Sequence, residues 1–437
     1  MNVSDAFAWI GSLRRFGIKP GLERVERVLD ALSNPQDGLR FYHVAGTNGK
    51  GSVCAMLCAM SMSAGYKTGL YTSPGFEGFN GRISVNQQAI DDQSFTRYAT
   101  VVKHAIEQVT VGDPLTEFEV LTVMALLYFR DQAVDAVVWE TGLGGRYDAT
   151  SVVHPVVTAI TNVSYDHVEI LGPTLADIAY DKAGIIKPGV PIVTGAQGEA
   201  YGIIEKVAET VGASVVRIDR DVELTRAAYD DHYQTLRYTG IEHQSSEFAL
   251  SLFGRHQLAN AAVALAMFEL AHPNLDETAW ERAVASLRTI RWPLRFEVFD
   301  HRGTPVVLDG AHNPAAARAL ALGLNEFSAA LSQKSLWHMV IGVFRDKDAR
   351  SMFEEVLPLA QDVVVCRPNH VRGADPEAIK NLIGELGPHL SIRVIEQPLA
   401  AVQAALEAPG PLVIWGNLHM VEDARKAIAK LEMNYWT

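Results

Sequence analysis

The segment His43-Val44-Ala45-Gly46-Thr47-Asn48-Gly49-Lys50-Gly51-Ser52 lies between an apolar run that reads as a strand, Phe41 to Val44, and one that reads as a helix, Gly51 to Ala64. A strand that feeds a helix through a glycine-rich loop is the opening unit of a parallel sheet, and it is also what a phosphate needs. Glycines let backbone N–H groups curl around phosphate oxygens, the helix N-terminus adds positive dipole, Lys50 can reach the terminal phosphates and Ser52 offers a hydroxyl. The first glycine of the commonest phosphate-loop pattern is missing, because Val44 and Ala45 stand where it would be sought. Gly51 also separates Lys50 from Ser52. Placement still favours nucleotide phosphates, with Thr47, Asn48, Gly49, Lys50, Gly51 and Ser52 as the binding set.

The same alternation continues along the chain. Strands are expected at Phe41 to Val44, Thr68 to Tyr71, Ala136 to Trp139, Val156 to Ile160 and Pro191 to Val193, and helices at Gly51 to Ala64, Gln93 to Gln108, Pro114 to Arg130 and Leu175 to Ala183. Short β-branched runs alternating with helical patterns specify a parallel sheet covered by helices. Ser214 to Leu252 reads as extra antiparallel sheet, followed by an Ala-rich helix from His256 to Leu270. The pattern breaks at Arg291-Trp292-Pro293-Leu294-Arg295 and restarts with strands near Phe296 to Phe299, Pro305 to Leu308, His338 to Val343, Asp362 to Cys366, Ile392 to Ile395 and Leu412 to Trp415. The expected fold is α/β: an N-terminal phosphate-loop, parallel-sheet ATPase domain over residues 1–297 and a smaller Rossmann-like α/β domain over 298–437.

Charge excludes several functions. With 38 Lys+Arg against 51 Asp+Glu the net charge is -13, so no basic field gathers nucleic acid or anionic lipid. Met1 to Arg15 lacks the apolar core of a signal peptide, and the most apolar stretch, Val120 to Phe129, is too short to span a bilayer. A cytoplasmic protein is expected. Cys54, Cys58 and Cys366 form no CxxC pair and read as buried thiols.

HVAGTNGKGSV resembles the phosphate loop of the folylpolyglutamate synthase / dihydrofolate synthase family, and GTNGK is shared with the related Mur ligases. Family-like motifs run in order from Gly21-Leu22-Glu23-Arg24-Val25 to Asp309-Gly310-Ala311-His312-Asn313-Pro314. The resemblance implies an ATP- and Mg²⁺-dependent amide ligase that joins L-glutamate to folate or dihydropteroate through an acyl phosphate, acting as a monomer. Ser73 in Tyr71-Thr72-Ser73-Pro74, Glu140 opening ETGLGGRYDAT, and His167 are implied ligands of one Mg²⁺. Lys182 is implied to be carbamylated and to bind a second, although Asp181 replaces the Glu usual before it. Singly, each has a plainer reading: a turn hydroxyl, a strand-end acid, a loop histidine, a surface lysine. Thr116, Glu117, Phe118 and Glu119, with Tyr147, Asp148 and Ala149, match segments lining the pterin and aminobenzoate pocket, and Lys19 to Leu22 belongs with them. Thr116 and Asp148 suit helix caps equally well.

Arg255-His256-Gln257-Leu258-Ala259-Asn260 resembles the family's HQxxN segment, making Asn260 a nucleotide contact. Trp292-Pro293-Leu294-Arg295 resembles WPGR with Leu294 in place of Gly, so Arg295 is expected on ATP phosphate. Asp309 is implied to bind ribose, and His312 to sit near the incoming glutamate or the acyl phosphate. Asn313 is either part of that site or only the cap of a helix beginning at Pro314. Gly75-Phe76 and Gly81-Arg82 depart from family patterns in the loop after Ser73. Two other readings compete. A Mur-type ligase acting on a cell-wall nucleotide would carry a further N-terminal domain, for which the roughly 40 residues before the first core strand are too few. A non-enzymatic ATP switch would have no use for Glu140, His167 and Lys182 together.

Overall fold

The computed structural model describes residues 1–17, 19–75, 78–109, 113–332, 336–431 and 433–436, so Phe76 lies outside the described residues. The chain forms two compact units. One comprises Met1–Leu224, Arg237–Phe248 and Ala259–Leu287; the other comprises Thr225–Leu236, Ala249–Leu258 and Arg288–Thr437.

In the first unit the strands are β1 (Phe41–Ala45), β2 (Thr68–Tyr71), β3 (Ile83–Val85), β4 (Gln88–Ala89), β5 (Ala136–Glu140), β6 (Pro155–Ile160), β7 (Ile192–Thr194) and β8 (Val215–Arg217). Among the described residues they form one eight-stranded sheet in the order β4-β3-β2-β5-β1-β6-β7-β8. Pairing is parallel from β2 to β8, and β3 and β4 add an antiparallel edge. β1 is buried at every position, as expected of a strand covered on both faces. The helix Lys50–Ser63 that follows it is buried almost all round. Register then decides what meets at the carboxyl edge of the sheet. Val44 lies beside Glu140, Ala45 beside Ile160 and Tyr71 beside Trp139. The phosphate loop, Glu140, the Thr72-Ser73 turn and the segment after Ile160 therefore all leave the sheet at one edge.

Two expectations need correction. Val215–Arg217 pairs parallel with β7 and extends the main sheet; it is not part of an antiparallel addition. The extra sheet is β9 (Glu223–Tyr229), β10 (Gln234–Thr239) and β11 (Gln244–Leu250), in the order β11-β10-β9. The helix expected from Pro114 begins at Glu117, because Thr116 caps it. The Thr116 hydroxyl accepts from Glu119 N, and the Glu119 carboxylate accepts from Thr116 N at 2.7 Å.

Glu119 has a second partner. Arg24, on the helix Glu23–Ala31, donates to Glu119 at 2.8 Å, with 9% and 5% of the two side chains exposed. Breaking one side of a buried ion pair leaves the other charge uncompensated. Arg24→Met is expected to lower unfolding free energy by about 3 kcal/mol in urea titration, and adding Glu119→Gln to recover part of it. A double variant no more stable than Arg24→Met would refute this account of the pair.

The second unit holds β12 (Glu297–His301), β13 (Thr304–Asp309), β14 (Trp337–Ile341), β15 (Ala360–Val365), β16 (Ser391–Val394), β17 (Leu412–Trp415) and β18 (Asn434–Tyr435). Their order among the described residues is β16-β15-β14-β17-β13-β12-β18, with β16 to β13 parallel and β12 and β18 antiparallel. Its core packs Trp337, Trp415, Phe296 and Phe327 among aliphatic residues of the sheet and helices. Among the described residues no helix is long and apolar enough to cross a membrane.

Candidate functional site

The loop after β1 can close only because two of its glycines are left-handed, Gly46 at φ 150° and Gly49 at φ 85°. A methyl group on Gly46 would overlap Thr161 Oγ1, and one on Gly49 the amide of Asn260. Asn260 thus packs on the phosphate loop itself. The segment leaving β6 clasps the loop from the other side. Asn48 N donates to Asn162 Oδ1 at 3.0 Å, and the Asn48 carbonyl accepts from Thr161 Oγ1 at 2.6 Å and from Asn162 Nδ2 at 2.8 Å. Thr47 N donates to the Asn162 carbonyl. Lys50 Nζ folds back onto the carbonyls of Gly46 at 3.0 Å and Thr47 at 3.4 Å, where it bridges the loop. The helix opens on Gly49 with no side-chain cap, and Gly51 and Ser52 lie buried in its first turn. The clasp by Thr161 and Asn162 carries no family-like motif, and its one sequence signal is Thr-Asn directly after the strand that neighbours β1.

Glu140, at the end of β5, is buried, and its carboxylate accepts from Ser73 N at 3.0 Å. The structure therefore brings Ser73 and Glu140 together. Cys54, in the helix behind the phosphate loop, is within electrostatic reach of both Glu140 and Lys50, and burial holds its thiol well above the ordinary range. His167 takes a left-handed conformation, φ 50°, after β6, and its Nε2 lies 3.8 Å from Asp166 Oδ1. Lys182, on the helix Leu175–Lys182, is 2% exposed. Burial, then the nearby Lys50 ammonium, lowers its pKa to about 7 against the pull of Asp181, Asp166 and Asp148. Asp166, absent from the expected ligand set, lies beside His167 and contributes to the field on Lys182; its sequence signal is its place beside His167.

Whether these residues suit a divalent cation follows from their chemistry. Among the described residues no three His, Cys, Asp or Glu side chains gather tightly enough to hold a metal by themselves. The expected set has two such groups, Glu140 and His167, with the Ser73 hydroxyl as a third donor. That fits Mg²⁺, which is commonly held by one or two carboxylates and completed by substrate phosphates.

The substrate-side residues serve more than one end. Glu117 accepts from Arg14 Nε and from Arg82 Nη2, the latter at 3.2 Å. Phe118 packs against Tyr71, ring centroids 5.8 Å apart, and fills the space a side chain at Gly142 would need. Thr116 and Glu119 are engaged in the capping box described above. Asp148 is buried and caps the turn Ala149–Val152, accepting from Thr150 N at 3.0 Å and Leu143 N at 2.8 Å; burial raises its pKa. Thr150 links Asp148 in turn to His43 at 3.0 Å. Ala149 is buried, whereas Tyr147 is exposed. Lys19 Nζ donates to Asp113 at 3.1 Å and to the Pro114 carbonyl at 3.3 Å, beside Arg24.

In the second unit, Asp309 ends β13 buried and accepts from Phe296 N and Ala311 N, both at 2.8 Å; burial raises its pKa. Arg295 sits between two left-handed residues, Leu294 at φ 60° and Phe296 at φ 47°. The glycine expected there by resemblance would adopt that conformation freely, whereas Leu294 adopts it at a cost in strain. His312 Nδ1 lies 2.8 Å from the Gly310 carbonyl. Asn313 caps the helix Pro314–Ala330 by accepting from Ala316 N at 2.9 Å, so its cap role is realised.

Known proteins resemble this chain over nearly its whole length. The Mur ligase middle domain matches residues 44–268, and the Mur ligase glutamate ligase domain matches residues 294–415. The chain is 36% identical over 437 residues to the dihydrofolate synthase/folylpolyglutamate synthase of Bacillus subtilis, covering 97% of this chain and 98% of that protein. It is also 36% identical over 431 residues to a Haloferax volcanii protein named "Probable bifunctional folylpolyglutamate synthase/dihydropteroate synthase", covering 97% of this chain but spanning only 50% of that longer relative. The solved structure of Mycobacterium tuberculosis folylpolyglutamate synthase complexed with ADP superposes with a TM-score of 0.88 at 31% identity, covering 97% of this chain and 98% of that one.

Proposed function

The chain belongs to the folylpolyglutamate synthase / dihydrofolate synthase family of the Mur ligase superfamily, and from that premise we propose that it is an ATP-dependent ligase joining L-glutamate to tetrahydrofolates and to dihydropteroate. The observation that carries this reading is the convergence, at one edge of one sheet, of a phosphate loop bearing Lys50 with the buried Glu140–Ser73 pair.

The acceptor carboxylate attacks the γ-phosphorus of ATP, the bond to the bridging oxygen breaks, and ADP leaves an acyl phosphate. The α-amine of glutamate then attacks the acyl carbon, phosphate departs and the amine proton is lost. Lys50 and the N–H groups of residues 47–52 hold phosphate oxygens and offset the charge moving to ADP; this is positioning and electrostatics, not covalent chemistry. Glu140, Ser73 and His167 would hold one Mg²⁺ and carbamylated Lys182 a second; when bound, these ions neutralise charge on the phosphate oxygens. Asn260, Arg295 and Asp309 are assigned to the nucleotide and His312 to the incoming amine. Thr116 to Glu119, Tyr147 to Ala149 and Lys19 to Leu22 are assigned to the walls around the pterin and benzoate, with Phe118 and Tyr147 supplying ring faces.

The test is ADP release and product mass with dihydropteroate and with tetrahydrofolate, each with and without glutamate. Glutamate-dependent product from both acceptors is expected. Product from tetrahydrofolate alone would reduce the enzyme to a folylpolyglutamate synthase, and ADP release with no glutamate-dependent product from either acceptor would overturn ligation. For the cation, His167→Ala is expected to raise the Mg²⁺ concentration needed for half-maximal turnover about ten-fold with little change in melting temperature. An unchanged Mg²⁺ titration would remove His167 from the ligand set.

A further inference from the structure

The left-handed turn that carries Arg295 has one bond of its own, from Arg295 Nη1 to the Leu294 carbonyl at 3.2 Å, and otherwise depends on its neighbours. Leu294 N donates to Glu297 Oε2 at 3.0 Å, Phe296 N to Asp309 Oδ2 at 2.8 Å, and the Leu294 carbonyl accepts from Gly310 N at 2.9 Å. Asp309 and Gly310 lie on the neighbouring strand and its exit, so they reach the turn directly. Glu297 must itself be fixed, and its partners come from far along the chain. Arg425 Nε lies 3.0 Å from each Glu297 oxygen, and the Tyr435 hydroxyl donates to Glu297 Oε1 at 3.0 Å while accepting from Arg425 Nη2 at 3.1 Å. The Glu297 side chain is 5% exposed, so its carboxylate depends on these donors in place of water.

Tyr435 is placed as firmly as Glu297. Its backbone pairs with Phe299, its ring stacks on Phe299 with centroids 4.8 Å apart, and the Arg291 guanidinium lies 3.6 Å from the ring centroid. Trp436 N donates to the Val298 carbonyl at 3.1 Å. Arg291 and Glu297 flank the turn, and Tyr435 touches both.

We propose that Tyr435 is a positioning residue for nucleotide binding, acting through Glu297 and Leu294 to hold the left-handed turn that presents Arg295. The inference rests on the reading above that Arg295 meets ATP phosphate. Tyr435→Phe keeps the ring on Phe299 and Arg291 and removes only the hydroxyl. It should weaken nucleotide binding while leaving kcat near wild type, because the turn keeps its path but samples other orientations of Arg295.

The experiment is a double-mutant cycle on the ADP dissociation constant, with KM for ATP and kcat measured beside it, for wild type, Tyr435→Phe, Arg295→Ala and the pair. Tyr435→Phe is expected to weaken ADP binding about ten-fold, the value of one hydrogen bond to a charged group at the low end. Added to Arg295→Ala it is expected to do nothing more, because both act through one side chain. Glu297→Gln, which keeps shape but loses charge, should match or exceed Tyr435→Phe. Effects of Tyr435→Phe and Arg295→Ala that multiply, or a Tyr435→Phe enzyme that binds ADP as wild type does, would overturn the proposal while leaving Arg295 in place. An Arg295→Ala enzyme with unchanged ADP affinity and unchanged KM for ATP would overturn the reading of Arg295 and this inference with it.

Discussion

Lys50→Ala is expected to lower kcat about a thousand-fold, the scale seen when a preorganised charge-stabilising donor is removed, while the protein stays folded. The size follows from where the ammonium sits. It leaves the first turn of the helix Lys50–Ser63 and folds over the loop onto the carbonyls of Gly46 and Thr47, so it is held at the mouth of the cradle before any phosphate arrives. The loop keeps its shape without it, because Thr161 and Asn162 fix Asn48 and Gly46 abuts Thr161. Melting temperature should therefore move by only a few degrees, as expected for loss of roughly 1 kcal/mol of hydrogen bonding. Lys50→Arg is not a conservative control. A planar guanidinium cannot occupy the position of a compact ammonium between two carbonyls, and only partial recovery is expected. Single-turnover measurement of ADP formation separates chemistry from product release, and a folded Lys50→Ala enzyme within ten-fold of wild type there would refute the assignment.

How much of this could be read beforehand depended on the kind of signal. Strands covered on both faces announce themselves as apolar runs, so Phe41–Ala45, Ala136–Glu140 and Leu412–Trp415 were legible to within a residue at each end. The phosphate loop was legible because its glycines and its lysine are adjacent in sequence. The sequence places the start of the helix at Pro114 and the structure at Glu117, because an apolar pattern does not reveal which of several polar residues caps it. Contacts between distant segments left no local trace. Asn260 against Gly49, Arg24 beneath Glu119 and Tyr435 on Glu297 are set by sheet order and helix packing, which no single stretch encodes. Leu294 shows the limit most directly. The residue type argues against a left-handed turn, yet the turn forms, because Glu297, Asp309 and Gly310 satisfy the backbone groups around it. The strain belongs to the sequence and the compensation to the fold.

Lys182→Ala is expected to cost activity on a similar scale, and the loss is expected to be recoverable from outside. At 2% exposure an ammonium is poorly solvated, and although Asp181 pulls on it electrostatically, Asp181 Oδ1 accepts from Gly145 N at 2.9 Å and packs where a side chain at Gly144 would go. Burial that disfavours the charged amine favours the neutral one, and a neutral lysine amine adds CO₂ to give a carbamate, exchanging a cation for an anionic oxygen donor. That exchange suits the site proposed above, which would gather Mg²⁺ beside Glu140 and triphosphate and where a second ammonium near Lys50 would oppose the metal. Removing the side chain should thus remove a ligand, lowering kcat at least a hundred-fold. Formate or acetate, small enough for the space left by the lysine stem, should restore part of it in a saturable way, whereas chloride at equal ionic strength should not. In wild type, ¹³C-labelled bicarbonate should give a carbamate resonance that disappears in Lys182→Ala, a readout independent of turnover. A wild-type enzyme fully active after exhaustive removal of CO₂, with no such resonance, would show that Lys182 works as a bare amine and that the metal site is completed by other groups.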